Sequence, residues 1–210
     1  MLKVLIVIAL VVCIAAATAT REQLNNLVDE TEITAFLIAE EGYPVEEHYV
    51  NTPDGYILKV VRIPGAPNSP PAQGKRVVFV QHGLLCSSAD WVVLGKGKAL
   101  AYLLADAGYD VWLGNARGNT NSRKHQYLSP DHKDFWNFSW HEIGQIDLPA
   151  MIDFALLNTG EKDLHYIGHS QGTTSFFVMT SLRKEMNAKI RTMHAMGKNF
   201  SISKNTYQKM

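Results

Sequence analysis

From residue 76 onward the chain trades short apolar runs against amphipathic stretches in the order strand, helix, strand, helix, strand, helix, and nothing else in it constrains the fold so tightly. Residues 76–81, 109–113 and 163–168 read as strands. Residues 99–107, closed by Gly108, residues 142–157, ending before Gly160, and residues 173–187 read as helices. A strand that leads through a helix into the next strand runs parallel to it, because parallel neighbours need a long crossover that a tight hairpin cannot supply. The runs carry short continuous apolar stretches instead of alternating, which fits a sheet covered on both faces. The expected fold class is therefore α/β, a mostly parallel sheet flanked by helices. With 210 residues and 46% hydrophobic composition the chain can bury one substantial core, so one domain is expected.

Upstream the period changes twice. Residues 21–39 place Leu24, Leu27, Val28, Ile33, Phe36, Leu37 and Ile38 near helical period, which suits an amphipathic helix. Residues 47–50 and 56–63 read as strands joined by the turn Pro53-Asp54-Gly55, and residues 64–74, rich in Pro and Gly, read as a loop. Residues 115–140 have little periodic structure. They follow a strand's carboxyl end, where open α/β sheets place their sites, although a surface excursion pinned by Phe135, Trp136 and Trp140 would look the same.

The first residues carry one cation at Lys3, an apolar run from Val4 to Ala17 and small residues through Ala19, the pattern of a secretory signal peptide cut after Ala19. The apolar run is shorter than the ~20 residues a spanning helix needs. The expected division is a signal over residues 1–19, a partial α/β domain over 20–197 and a divergent tail over 198–210. Of the two cysteines, Cys13 would leave with the signal and Cys86 would remain alone, so no internal disulfide is expected. In an exported chain the triplets beginning at Asn137 and Asn199 are glycosylation candidates. Twenty basic residues balance twenty acidic ones, which gives no bulk attraction to a polyanion, and no nucleic-acid role is expected.

The chemistry concentrates at Gly168-His169-Ser170-Gln171-Gly172, preceded by an apolar strand and followed by an apolar helix. That context is the one a nucleophile elbow requires: a serine on a sharp strand-to-helix turn, with glycines on either side so that strand and helix approach without a clash. His82-Gly83-Leu84 follows the strand Val77-Val78-Phe79-Val80, where a hydrolase of this type bends a loop to aim a backbone amide at an oxyanion. The expected donors are the N–H groups of Leu84 and Gln171, with the His82 side chain buried and orienting the loop. Trp91, Leu84, Leu85, Trp112 and Phe176 would supply either an apolar acyl-binding surface or plain core. No metal or organic cofactor is indicated, since His165 and His169 lie across a strand and a turn.

Val80-Gln81-His82-Gly83-Leu84-Leu85, the run from Gly108 through Asn115-Ala116-Arg117-Gly118-Asn119, and Gly168-His169-Ser170-Gln171-Gly172-Thr173 resemble the gastric and lysosomal acid lipase family of the α/β-hydrolase superfamily. So do Gly42-Tyr43-Pro44-Val45-Glu46, Asp54-Gly55-Tyr56-Ile57-Leu58 and Asp147-Leu148-Pro149-Ala150. The resemblance covers nearly everything from Glu40 to Gly197. It implies a secreted or lysosomal hydrolase of neutral lipid esters, working on a lipid substrate or a lipid–water interface, with Ser170 as nucleophile and Leu84 and Gln171 as oxyanion donors.

Such a serine needs a histidine base oriented by a carboxylate, in the chain order Ser, Asp or Glu, His. After Ser170 come only Glu185, expected on the helix after the elbow, and His194, expected on the next strand. Neither place suits a triad. The tail from Lys198 resembles nothing in the family, and its cap and later strands are not seen in the sequence. The chain as written is therefore expected to turn over slowly, at the ~10³ to 10⁴ over water that an oxyanion hole and binding retain without a triad. The alternative is a non-catalytic lipase-like remnant that binds lipid or a partner, with an open sheet edge that invites pairing.

Overall fold

The computed structural model describes residues 33–197. The expected signal, Cys13, most of the expected N-terminal helix, Asn199 and the tail from residue 198 lie outside the described residues. Of that helix, α1 (Ile33–Glu40) is described. The strands β1 (Glu46–Asn51) and β2 (Tyr56–Ile63) form the expected antiparallel hairpin, in the register Val50↔Leu58. Its turn is closed by Thr52, whose hydroxyl accepts the Tyr56 amide at 2.8 Å, and by Gly55 at φ +99°, a conformation that favours glycine.

The remaining elements are β3 (Val77–Gln81), α2 (Leu100–Asp106), β4 (Asp110–Gly114), β5 (Lys124–His125), α3 (Trp140–Glu142), α4 (Leu148–Thr159), β6 (Leu164–His169), α5 (Gln171–Leu182) and β7 (Ile190–Met196). The sheet order is β1-β2-β4-β3-β6-β7, with β5 against β2. The pairs β3–β4, β3–β6 and β6–β7 are parallel and the pairs involving β2 antiparallel, so the expected mostly parallel sheet is what forms. Strand β3 lies between β4 and β6, so the chain crosses over it after β4. The carboxyl ends of β3 and β6 therefore emerge side by side, with Gln81 opposite Gly168.

Alternate side chains divide the core into two layers, as a period of two dictates. Leu58, Val60, Val77, Phe79, Trp112, Leu164 and Tyr166 face α4 and α5, where Leu148, Met151, Ile152, Phe176 and Met179 cover them. Val61, Ile63, Val78, Val80, Val111, Leu113 and Ile167 face α1 and α2, where Ile38, Ala101, Tyr102 and Ala105 cover them. Strands β3 and β4 are buried along their whole length, which is why they are apolar from Val77 to Val80 and from Val111 to Leu113, with the polar Gln81 and Asp110 at their ends.

Two helices depart from expectation. The one expected over 142–157 begins at Trp140, under a capping box of Ser139 and Glu142, and passes through a π-helical segment, Ile143–Asp147, before α4. Pro149 at the start of α4 has no amide to return to the Gln145 carbonyl, and Arg183 Nη1 takes that carbonyl at 3.2 Å instead. The helix expected over 173–187 runs from Gln171 to Leu182. Arg183, at φ −113° and ψ +74°, leaves the helical region, so Glu185 lies in a following 3₁₀ segment (Lys184–Lys189) and not on the helix. The stretch over 115–140 is not a bare loop: it holds 3₁₀ turns at Thr120–Ser122 and Lys133–Trp136, and β5. Phe135 is fully buried there, whereas Trp136 is 40% exposed and Trp140 is half-buried, so Phe135 is the deep anchor.

Candidate active site

Ser170 sits between β6 and α5 at φ +49° and ψ −111°, a conformation L-residues rarely hold. Its amide donates to the Met196 carbonyl at the end of β7, at 2.9 Å. The flanking glycines have a steric reason to be glycine. A Cβ on Gly172 would lie 2.6 Å from the Gln81 carbonyl oxygen and 2.8 Å from that of His82, and a Cβ on Gly168 would lie 2.9 Å from backbone atoms of Gly172 and Thr173. Strand β3, strand β6 and the first turn of α5 thus meet backbone to backbone. The Tyr166 hydroxyl donates to the Gly172 carbonyl at 2.8 Å and the Thr173 hydroxyl to the Gly168 carbonyl at 2.9 Å, which ties the turn on its inner side.

The loop after β3 closes against this turn. A Cβ on Gly83 would fall 2.9 Å from His169 Nδ1 and 3.2 Å from Ser170 Cβ. Gln171 is the first residue of α5, so its amide has no acceptor within the helix, and among the described residues none receives the Leu84 amide. The sequence-expected set of His82, Gly83, Leu84, Gly168, His169, Ser170, Gln171 and Gly172 is therefore brought to one place. The five residues expected as acyl surface or core divide. Trp112, Phe176 and Trp91 are buried in the two core layers, which corrects the surface role for those three, while Leu84 and Leu85 are 62% and 97% exposed beside the elbow. Leu85 is held at φ +58°.

Neither late candidate reaches Ser170 as a triad member. The Glu185 carboxylate takes Arg183 Nε at 2.6 Å on the surface, and His194, on β7 as expected, bonds Thr192 Oγ1 at 3.2 Å. Among the described residues the histidine–carboxylate contact that forms is His48–Glu46, on β1. His165 lies on β6 and bonds Thr192 Oγ1 at 2.7 Å, whereas His169 sits at the strand's end with its ring edge-on to Trp91, 6.5 Å away, so the two do not converge. Asn137 is exposed at the end of the 3₁₀ turn Lys133–Trp136.

Behind the site lie two buried polar networks that hydrophobic periodicity could not disclose. In the first, Asn115 Oδ1 accepts the Ser88 amide at 2.9 Å and Asn115 Nδ2 donates to the Lys59 carbonyl at 3.0 Å. The Ser88 hydroxyl bonds Thr34 of α1 at 2.9 Å, so the loop after β4 is stitched to β2, to the loop after β3 and to α1. In the second, Arg117 is 3% exposed and lies over the Tyr56 ring, 4.0 Å from its centroid. Its Nε donates to Asp147 Oδ1 at 2.8 Å and its Nη1 to Asp54 Oδ2 at 2.6 Å. Burial pushes the Asp147 carboxyl up to about 6 despite Arg117. Burial would raise Asp54 also, but the hydrogen bonds and charge of Arg117 outweigh it and hold that carboxyl below its usual range. The sequence signals that touched these networks were the matched runs Asn115-Ala116-Arg117-Gly118-Asn119, Asp54-Gly55-Tyr56-Ile57-Leu58 and Asp147-Leu148-Pro149-Ala150.

An α/β sheet with a strained serine at a strand-to-helix turn, under the loop of the neighbouring strand, defines a class. Residues 76–208 match the alpha/beta hydrolase fold family, to which the chain belongs, and residues 34–95 match a partial alpha/beta-hydrolase lipase region. The chain is 53% identical to the gastric triacylglycerol lipase of Homo sapiens over 156 residues, 74% of this chain and 39% of that protein. It is 44% identical to the lysosomal acid lipase/cholesteryl ester hydrolase of Homo sapiens over 196 residues, 90% of this chain and 49% of that protein. The resemblance seen in the motifs thus extends along the chain, which spans less than half the length of these two relatives. Among solved structures a bacterial membrane phospholipase A has a TM-score of 0.54 at 16% identity, covering 97% of this chain and 55% of that one, a likeness of fold alone. Among the described residues no helix is long and apolar enough to cross a membrane.

Proposed function

We propose that the protein is a secreted or lysosomal serine ester hydrolase that cleaves neutral lipid esters, triacylglycerol or sterol ester, through an acyl-serine intermediate. The observation that carries this reading is Ser170 at φ +49° on the elbow, pressed by Gly83 of the neighbouring loop. In the first step Ser170 Oγ attacks the ester carbonyl and gives its proton to a histidine base, and the carbonyl oxygen takes the negative charge. The amides of Leu84 and Gln171 receive that oxyanion, each worth about 2.7–4 kcal/mol when aimed at developing charge in a water-poor site. The alcohol leaves with the proton, and water then hydrolyses the acyl-serine by the reverse sequence of proton transfers. The base and its carboxylate are not supplied to Ser170 by the described residues. The lipid substrate is supported by the names of the two human relatives and by the exposed Leu84 and Leu85 beside the elbow. Cleavage after Ala19 and glycosylation at Asn137 and Asn199 belong to the same reading of an exported protein.

The test is covalent labelling of the native protein with an alkyl fluorophosphonate, followed by peptide mass spectrometry. The label is expected on Ser170 and is expected to vanish in Ser170→Ala. A native protein that stays unlabelled at Ser170 while hydrolysing no ester would leave a lipid-binding relative without turnover.

A further inference from the structure

The buried His82 ring lies between Asn119, on its Nε2 side, and the carbonyl of the peptide that carries the Leu84 amide, on its Nδ1 side. Asn119 caps the turn Thr120–Ser122 with its side-chain oxygen, which accepts the amides of Asn121 at 3.0 Å and Ser122 at 2.8 Å. With the oxygen so committed, the group facing His82 Nε2 at 3.1 Å is the side-chain nitrogen, which can only donate. The Ala116 amide donates to the same Nε2, also at 3.1 Å. Nε2 therefore presents a lone pair, and the imidazole proton resides on Nδ1. From there it is donated to the Gly83 carbonyl at 2.8 Å, and the Cys86 amide reaches the same oxygen at 3.3 Å.

In a trans peptide group the carbonyl and the following N–H point in opposite directions, and no peptide among the described residues is cis. Holding the Gly83 carbonyl inward against the buried His82 ring therefore turns the Leu84 N–H outward. Gly83 itself abuts the elbow, since a Cβ built on it would lie 3.2 Å from Ser170 Cβ.

We propose that His82 and Asn119 are positioning residues: Asn119, with the Ala116 amide, holds His82 as the Nδ1–H tautomer, and that tautomer locks the Gly83–Leu84 peptide with its N–H facing the reacting centre at Ser170. The inference rests on the reading of Leu84 as an oxyanion donor. Burial lowers the affinity of the His82 ring for a second proton, in keeping with a ring that stays neutral and keeps one bare nitrogen. The role explains why a polar network is tolerated behind the loop, where an apolar side chain in place of His82 would fill the space and leave the Gly83 carbonyl with the longer Cys86 contact alone.

The first experiment is ¹⁵N NMR of histidine-labelled full chain, with the His82 signals assigned by their loss in His82→Asn. The expected result is a protonated Nδ1 and a bare Nε2, and a protonated Nε2 would overturn the proposal with no variant needed. The second compares fluorophosphonate labelling rates at Ser170. Asn119→Asp keeps the cap on Asn121 and Ser122 but offers Nε2 an acceptor in place of a donor. It is expected to slow the covalent step about 100-fold, the scale of losing one oxyanion donor, with the reversible encounter constant unchanged. His82→Ala is expected to fall as far, and His82→Asn, whose amide nitrogen sits where Nδ1 sat, to recover to within about tenfold of the wild type. Wild-type rates in both Asn119→Asp and His82→Ala, with Ser170 still the labelled residue, would refute the positioning role and leave the nucleophile standing. Failure of the wild type to label at Ser170 would instead remove the nucleophile, and this inference with it.

Discussion

Ser170 and Leu85 are the non-glycine residues held at positive φ among the described residues, and they follow the neighbouring strands β6 and β3. A residue so held costs about 1–3 kcal/mol and persists only where its surroundings over-determine it. For Ser170 those surroundings are the Met196 carbonyl, the Gly83 contact and the backbone packing at Gly172. Gly172→Ala is expected to push α5 away from the Gln81 and His82 carbonyls, lowering stability by about 1–3 kcal/mol as core overpacking does. Urea midpoints read the first effect, and a fall in Ser170 labelling by the same probe reads the displacement of the elbow. Leu85 is under strain without packing in return. Leu85→Gly is expected to raise the midpoint, because the left-handed penalty of about 1–2 kcal/mol outweighs the entropy glycine adds to the unfolded chain. A lower midpoint would mean that the exposed leucine contributes contacts after all.

At the level of elements, the pair Arg117–Asp147 ties the loop after β4 to the π segment, and Arg117–Asp54 ties it to the β1–β2 turn. Arg117→Met would strand a fully buried carboxylate and is expected to cost about 3–5 kcal/mol, as breaking one side of a buried pair does. Chemical denaturation at neutral pH measures it. The two carboxylates respond to pH in opposite senses. Asp147 is raised to about 6 in the folded protein, so between its unfolded value and 6 the folded state binds the extra proton. Its contribution therefore strengthens as pH falls from neutral through 6 and weakens as pH rises. Asp54 is lowered, so its contribution is present above the unfolded value and is lost as acid protonates it. The stability difference between wild type and Asp147→Asn should thus shift in favour of wild type between pH 7 and pH 4.5. A difference that moves the other way would mean that Asp147 is ionised throughout this range. Element types were legible because burial on both faces of β3 and β4 leaves an apolar run that no surface segment shows. The end of α5 was not legible, because Arg183 leaves the helix to serve a carbonyl freed by Pro149, 34 residues earlier by numbering.

Taken as a whole, the molecule gathers its chemistry at the carboxyl ends of β3 and β6. The parallel register that sets Gln81 against Gly168 is what delivers the loop and the elbow together. Leu84 and Leu85 are exposed at that same end of the sheet. If the protein works at a lipid surface, this is the end that enters it. Leu84→Ser with Leu85→Ser leaves both backbone amides in place, yet is expected to weaken partition onto a triolein emulsion at least tenfold, since burying one leucine is worth about 1.5–3 kcal/mol. Unchanged partition in a sedimentation assay would place the lipid-facing surface elsewhere.

The sequence by itself determined the sheet class, the hairpin, the elbow and the neighbouring glycine loop. Each of these rests on a local rule: periodicity, turn chemistry, or the need for a missing Cβ where two backbones touch. Only the tertiary structure decided which residues stand behind the site. Asn119 meets His82, and Arg117 meets Asp147 and Asp54, across 30 residues or more, and a polar side chain in sequence carries no mark of the partner that will satisfy it once buried. The same holds for Trp112 and Phe176. Their apolar character made them candidates for core or acyl surface alike, and the side of the sheet on which strand register and helix packing set them settled the matter in favour of core.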